Sequence, residues 1–105
     1  MSESRLLRAT MQAIERIPDA EVIRMQSGTV RKGARFIRMC EPGTPDLLVM
    51  RPNGRCVWLE IKRADGKGRV SAAQSEWHRK AEKLGHAVYV IESVQDAIQV
   101  VLDTR

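Results

Sequence analysis

Two carboxylates and a lysine lie at the ends of apolar segments, where a charged group is costly unless it has a use. Asp46 precedes the run Leu-Leu-Val-Met, and Glu60 and Lys62 end the run that begins at Cys56. An ionised carboxylate removed from water is strongly unfavourable without a compensating partner. Two carboxylates, together with the main-chain carbonyl of Ile61, offer the oxygen ligands that Mg²⁺ prefers. The residue types therefore favour a divalent-metal site.

The turn between these two segments decides whether Asp46 and Glu60 lie on the same face of a β-hairpin. A two-residue loop of Asn53 and Gly54 would point the two carboxylates to opposite sides. A three-residue loop that also includes Pro52 places Asp46 directly across from Glu60. Proline, asparagine and glycine suit the successive positions of a type I turn followed by a left-handed bulge. Proline also cannot donate a ladder hydrogen bond, so we predict the three-residue loop.

This register gives the two strands one apolar face and one mixed face, because side chains alternate along a strand. The mixed face is apolar near the turn and carries Asp46, Glu60 and Lys62 at its far end. The other face is apolar throughout and needs helices to cover it; it consists of Leu47, Val49, Val57, Leu59 and Ile61.

The first part of the chain is predicted to form a helix followed by short strands. Apolar residues recur at helical spacing over 6–17, and Pro18 stops the pattern. Strands are predicted at 22–25 and 36–39. The polar and basic stretch 27–34 between them is predicted to be a loop.

The last part of the chain supplies a helix, a strand and a final helix. Ser71 begins the first of these helices and Gly85 is placed to end it. The stretch 87–91 predicts a buried strand, and Ser93 can cap the last helix. Counting two or three strands in a meander before the second helix, the order is α-β-β-β-α-β-α, which predicts an α/β domain with a mixed sheet flanked by helices.

The composition is typical of a soluble globular protein, with one domain over residues 1–105. Apolar residues make up 43% and charged residues 30% of the chain, which allows one modest hydrophobic core. No apolar run approaches the roughly 18 residues of a membrane span, and the N-terminus lacks the pattern of a signal peptide. We therefore expect a cytoplasmic protein with no membrane partner.

The chain is basic, and its basic residues cluster on both sides of the candidate site. The net charge of +5 favours a polyanionic partner, since phosphate contacts release condensed counterions. Charge alone fits an ordinary basic protein equally well, so the clustering carries more weight. The basic residues before Asp46 are Arg24, Arg31, Lys32, Arg35 and Arg38, and those after Glu60 are Lys62, Arg63, Lys67 and Arg69.

These residues resemble a known group of nucleases. Pro45-Asp46 followed by Glu60-Ile61-Lys62 after a hairpin resembles the PD-(D/E)XK signature. More closely, the segments Gly43-Thr44-Pro45-Asp46 and Trp58-Leu-Glu-Ile-Lys62, with Ser71 and Gln74, resemble the VRR-NUC group of that superfamily. The arrangement of elements agrees from about residue 3 to residue 102. The resemblance implies a three-layer restriction-endonuclease-like fold.

The resemblance also implies a role for each residue of the motif. Asp46, Glu60 and the main-chain carbonyl of Ile61 would bind Mg²⁺ or Mn²⁺ and so activate a water for attack on a phosphodiester. Lys62 would orient that water or stabilise the charge that builds on the phosphoryl oxygens. Gln74 would assist from the edge of the site.

Two assignments stay open on the sequence alone. Gln74 with Ser71 also forms a capping box, in which each side chain satisfies an amide at the start of a helix. The family places a glutamate of the first helix near the metal, and both Glu3 and Glu15 are candidates here. Glu3 matches the family's pattern at the start of the helix better.

The resemblance and the basic clusters together indicate which residues contact nucleic acid. The segment that begins at Arg24 resembles the loop that precedes the site in the family, and the loop after Lys62 directly follows the site. The candidate DNA contacts are Arg24, Ser27, Gly28, Arg31, Lys32, Lys67 and Arg69.

The function that the resemblance implies is metal-dependent DNA endonuclease activity. Compact members of the group resemble structure-specific enzymes, which predicts cleavage of branched DNA such as four-way junctions by a homodimer, in a bacterial or phage-infected cell or at the nucleoid. Two alternatives remain: a non-catalytic nucleic-acid-binding module, and a nuclease subunit of a larger repair or replication complex.

Overall fold

The structure is a computed structural model that describes residues 1–26, 29–65 and 68–105. It contains a four-stranded mixed sheet, a separate two-stranded hairpin and three helices. The helices are α1 (Glu3–Glu15), α2 (Ala72–Lys83) and α3 (Val94–Asp103). The strands are β1 (Glu21–Arg24), β2 (Thr29–Lys32), β3 (Arg35–Arg38), β4 (Leu47–Met50), β5 (Cys56–Ile61) and β6 (Val88–Ile91). The described helices include none that is long and apolar enough to cross a membrane.

The main sheet has the strand order β1-β4-β5-β6, in which β5 and β6 are parallel and the other pairs antiparallel. α1 and α3 pack together on the apolar face that the alternation predicted. Leu47, Val49, Val57 and Leu59 on that face are completely buried, and each buried aliphatic side chain of this kind stabilises the fold by about 1.5–3 kcal/mol.

The opposite face of the sheet is covered by α2. Trp58 of β5 meets Trp77 of α2 edge to face, with 4.9 Å between the ring centroids, a geometry that aromatic pairs favour. The fold thus has three layers, with helices on both sides of a mixed sheet, as a restriction-endonuclease-like domain does.

The hairpin between β4 and β5 has the predicted register and a different turn. Leu47 pairs with Leu59 and Leu48 with Trp58, so the loop has three residues. Asn53 has φ 64° and ψ 30°, and Gly54 has φ 72°. Two successive positive φ angles are the signature of a type I′ turn, for which Asn-Gly is the preferred pair. The prediction of a type I turn was wrong, but the loop length, and with it the register, was right.

The predicted loop over 27–34 was wrong at Thr29–Lys32, which form β2, while 27–28 lie outside the described residues. β2 and β3 form an antiparallel hairpin, with Lys32 paired to Arg35 across a two-residue turn. This hairpin lies outside the main sheet. Thr29–Lys32 lack the regular alternation of apolar and polar residues by which strands are recognised, which explains why β2 was not predicted.

β6, the strand that was predicted to be buried, is fully buried only at its last residue, Ile91. Ile91 is 1% exposed, whereas Tyr89 and Val90 are 47% and 43% exposed. β6 is the edge strand of the sheet, so an apolar sequence here does not mean burial on both faces.

Candidate active site

The register of the β4–β5 hairpin brings Asp46 and Glu60 together at one end of the sheet. Asp46 comes just before β4, and its Oδ2 accepts a hydrogen bond from the main-chain N–H of Ile61 at 2.8 Å. The carboxyl groups of Asp46 and Glu60 are themselves close enough to share a hydrogen bond. The two acidic groups therefore occupy a single site, as the three-residue loop predicted.

Glu60 is the buried member of the pair, with 1% of its surface exposed. Burial raises the pKa of Glu60 from its ordinary 4.5 to about 9, and the shared hydrogen bond with Asp46 and the charge of Asp46 act in the same direction. The positive charge of Lys62 opposes the rise. A buried acid with a like-charged neighbour holds its proton because the ionised form has lost its hydration.

Lys62 lies one residue beyond β5 and is almost as enclosed. Its side chain is 12% exposed, and its Nζ lies 3.9 Å from Oε2 of Glu60. The main-chain N–H of Lys62 donates to the carbonyl of Ile91 at 2.9 Å, which continues the parallel pairing of β5 with β6. The backbone of the lysine is thus held by the sheet while its ammonium group faces the carboxylates.

Gln74 forms the capping box and also contacts Glu60. Its Oε1 accepts from the N–H of Ser71 at 2.8 Å, and the N–H of Gln74 donates to Oγ of Ser71 at 3.2 Å. These bonds form the capping box that starts α2. The other end of the same amide, Nε2, donates to Oε2 of Glu60 at 3.1 Å. One side chain therefore starts the helix and connects it to the acidic pair.

Gly43 allows the loop before Asp46 to pass against the start of α2. A Cβ atom at Gly43 would overlap the carbonyl of Ala73 and lie 3.0 Å from the amide nitrogen of Gln74. Gly43 also has φ +90°, a conformation that L side chains rarely adopt. Close packing of two backbone segments that both lead to the site thus explains why the Gly-Thr-Pro-Asp segment begins with glycine.

The predicted site residues line one cleft of about 210 Å³. Of the two candidates on α1, Glu3 lines this cleft, and its charge contributes to the raised pKa of Glu60. Glu15 is exposed at the opposite end of the helix. The residues that line the cleft are Glu3, Ser4, Leu7, Asp46, Glu60, Ile61, Lys62 and Gln74.

His78 belongs to the same neighbourhood, although it is not among the site residues predicted from the sequence. Its side chain is 12% exposed, and its Nε2 lies 3.5 Å from Oε1 of Glu60. Burial lowers the pKa of His78 and Lys62 lowers it further, while Glu82 acts in the opposite direction. The spacing of four residues from Gln74 was the available signal, since residues i and i+4 share a helix face.

The residues predicted to contact DNA fall into three groups in the structure. Ser27, Gly28 and Lys67 lie outside the described residues. Arg24, at the end of β1, is exposed, as is Arg69. The exposed side chains of Arg31 and Lys32 lie on the β2–β3 hairpin.

The donor set suits a hard divalent cation. Glu60 Oε1 is buried without a hydrogen-bond partner, and such an orphaned oxygen is normally satisfied by water or an ion. Asp46, Glu60 and the carbonyl of Ile61 offer only oxygen. Within the described ranges no three His, Cys, Asp or Glu side chains are already grouped around a metal position. Water would therefore complete the coordination shell, as it commonly does for Mg²⁺.

Comparison with known proteins supports the same class. No family model matches the chain, and no curated protein matches it. A solved structure described as a VRR_NUC domain matches with a TM-score of 0.66 and 25% identity, over 94% of this chain and 92% of the other. The fold and this match define a nuclease-type domain of the restriction-endonuclease-like class. Within that class, the match supports assignment of the chain to the VRR-NUC group.

Proposed function

We propose that this protein is a metal-dependent endonuclease that hydrolyses phosphodiester bonds in DNA. The observation that carries the proposal is the acidic pair, Asp46 and the buried Glu60, held between Gln74, Lys62 and the Ile61 N–H at one end of the sheet. Phosphate binding alone has no use for paired carboxylates, because they repel a polyanion. An acidic pair beside a buried lysine has a clear use if a cation lies between it and the phosphate.

Asp46, Glu60 and the Ile61 carbonyl would hold Mg²⁺ or Mn²⁺, with Glu3 close enough to contribute through water. Such a cation, when bound, supplies Lewis-acid polarisation of the scissile phosphate and makes a nearby water more acidic. The raised pKa of Glu60 means that binding a cation replaces a proton on the acidic pair. Without a cation, Glu60 therefore keeps its proton near neutral pH, and a bound cation would stabilise its ionised form.

Lys62 and Gln74 both approach Oε2 of Glu60, and we propose a different role for each. Lys62 carries the positive charge in the cleft and stabilises negative charge on the phosphoryl oxygens as it builds. Gln74 fixes Oε2 of Glu60 through its Nε2, so one orientation of the carboxylate is maintained when DNA arrives. Preorganisation of this kind contributes to the rate because no side chain has to be ordered during the reaction.

Branched DNA, such as a four-way junction, is the substrate that we propose, with a homodimer as the acting species. A single cleft cuts one strand, and symmetric cleavage of two strands needs two clefts related by a twofold axis. We propose that residues 1–105 act as one domain that supplies one cleft, in the bacterial or phage-infected cytoplasm or at the nucleoid.

The experiment compares cleavage of a labelled four-way junction and a matched linear duplex in Mg²⁺, Mn²⁺ and EDTA. The wild type is expected to cut the junction in either metal and to be inactive in EDTA, because the acidic pair has no other catalytic use. Asp46→Asn, which keeps the size of the side chain, is expected to lower the rate at least about 100-fold. Asp103→Asn, an exposed residue at the end of α3, serves as the control.

Each alternative outcome has a defined meaning. Binding without cleavage in both metals would support a non-catalytic module or a subunit that needs a partner. Equal cleavage of junction and duplex, or a protein that stays monomeric with junction bound, would contradict the proposed substrate and assembly. Cleavage that persists in EDTA would contradict the metal-dependent mechanism.

A further inference from the structure

The β2–β3 hairpin leaves the main sheet directly beside the acidic pair. Met25 follows β1, and its N–H donates to the main-chain carbonyl of Asp46 at 2.8 Å. The chain returns from the hairpin at Cys40, whose N–H donates to the carbonyl of Gln26 at 2.7 Å. Both ends of the hairpin are therefore fixed next to the residue that begins the site.

This part of the chain carries the whole net charge of the protein. Residues 24–40 include five of the 18 Lys and Arg and none of the 13 Asp and Glu, so the remainder has 13 of each sign. The side chains of Arg31, Lys32 and Arg35 are exposed. A concentration of positive charge on a projecting element attracts a polyanion, and its attraction falls with added salt.

Phe36 is the feature of the hairpin that charge does not explain. It is 72% exposed, and the strand register pairs it with Arg31, so the ring and the guanidinium lie on the same face. Lys32 and Arg35, which pair with each other, lie on the opposite face. An exposed aromatic among basic side chains is typical of surfaces on which nucleic-acid bases stack.

We propose that the β2–β3 hairpin is a DNA-binding arm on which Phe36 stacks against an unpaired base while the surrounding Arg and Lys side chains contact phosphates. The proposal rests on the proposed function, because it requires that the cleaved DNA strand, whose phosphate would lie at Asp46, continues along the arm. A base must leave the double helix before its face is available for stacking. The arm therefore favours branched or partly unpaired DNA over continuous duplex. It would account for the preference for branched DNA that we propose.

The test measures binding in EDTA, where metal-dependent cleavage is absent, with 2-aminopurine placed beside the branch point of a junction or at the same position in a duplex. The wild type is expected to change the fluorescence of the junction probe as the base stacks. Phe36→Leu keeps an apolar side chain but removes the ring. It is expected to abolish the fluorescence change and to weaken junction binding about 5- to 100-fold, the range for one stacked base. Duplex binding should change less than about 2-fold.

Two control variants distinguish the effect of base stacking on DNA binding from the effect of positive charge and from the effect of removing any exposed aromatic side chain. Arg35→Ala, on the other face of the hairpin, is expected to weaken the binding of junction and duplex alike. It should also reduce the slope of log affinity against log salt concentration by about 1, the value for one lost phosphate contact. Tyr89→Leu removes another exposed aromatic, on β6, and should change neither measurement. Phe36→Trp should retain the fluorescence change, because it keeps an aromatic ring. Unchanged duplex binding by Phe36→Leu excludes misfolding of the hairpin as the cause of its loss.

The failure of this proposal and the failure of the proposed function can be told apart. If Phe36→Leu binds the junction like the wild type, with the same fluorescence change, the arm does not stack a base, even if cleavage is normal. If the wild type stacks the base but cuts no DNA in Mg²⁺ or Mn²⁺, the nuclease assignment fails while the arm stands.

Discussion

Glu60 lowers the stability of the metal-free protein. Its carboxyl group is buried beside Asp46, and one of its oxygens has no hydrogen-bond partner. A group with a folded-state pKa of about 9, instead of 4.5, binds a proton more tightly in the folded chain than in the unfolded chain. Its contribution is therefore most favourable below about pH 4.5 and declines as the pH rises towards 9.

The first prediction concerns the stability of the metal-free protein. Glu60→Gln keeps the size of the side chain and has no charge to bury, so in EDTA at pH 8 it should raise the free energy of unfolding by roughly 1–3 kcal/mol. The wild type should lose stability between pH 5 and pH 8 more steeply than the variant. Urea unfolding at the two pH values measures both effects. Glu15→Gln, at an exposed glutamate, is the control; a destabilised Glu60→Gln at pH 8 would contradict the interpretation.

At the scale of single residues, turn chemistry allowed the acidic pair to be predicted. Pro52 cannot take part in the strand ladder, and excluding it from the strand sets a loop length that places Asp46 opposite Glu60. The predicted turn type was wrong, but the predicted register was still correct, because the register depends on the number of loop residues. His78 could not be assigned, since its burial depends on how α2 lies across β5, and no local pattern encodes that contact.

At the scale of elements, the site depends on the contact between the loop before β4 and the start of α2. This contact places the amide of Gln74 against Glu60 while the capping box starts the helix. The packing is close because Gly43 has no side chain. The chain thus uses one contact both to fix the end of a helix and to complete the acidic site.

The second prediction changes this contact without touching a polar group. Gly43→Ala introduces a methyl group 2.6 Å from the carbonyl carbon of Ala73, and backbone cannot move aside cheaply. The variant should unfold with a free energy lower by at least about 2 kcal/mol, and cleavage should slow about 10- to 100-fold, because Gln74 is displaced from Glu60.

Gly85→Ala is a closely matched control for that variant. Gly85 has φ +89°, nearly the φ +90° of Gly43, but nothing lies within 4 Å of its added Cβ. It should therefore show the backbone strain, about 1 kcal/mol, without the loss of activity. Equal effects of the two substitutions on cleavage would mean that close packing at Gly43 does not position the site.

Elements that pack on the core had the clearest patterns in the sequence, although β3 of the separate hairpin was also predicted. The three helices and the strands β4 and β5 are covered on at least one face, so their apolar residues recur with the period of the element. β2 has no such period because it belongs to a hairpin outside the main sheet. The exposed middle of β6 was also missed, since a sheet edge is a property of strand order, which the local sequence does not contain.

At the scale of the whole molecule, the charge and the site are arranged around one end of the sheet. The positive charge is concentrated on the segment that projects from beside Asp46, and the rest of the chain is neutral overall. The acidic cleft would repel DNA by itself, so the basic hairpin and a cation together account for how a phosphate can approach two carboxylates. The fold agrees with assignment of the chain to the VRR-NUC group.

The most direct test of the central claim is single-turnover cleavage of a four-way junction by Lys62→Ala in Mn²⁺, with metal and DNA binding measured on the same variant by calorimetry. We expect the variant still to bind the metal and to bind DNA within a few-fold of the wild type, while the cleavage rate falls at least about 100-fold. A variant that cleaves at the wild-type rate would contradict the assignment of Asp46, Glu60 and Lys62 as one catalytic site.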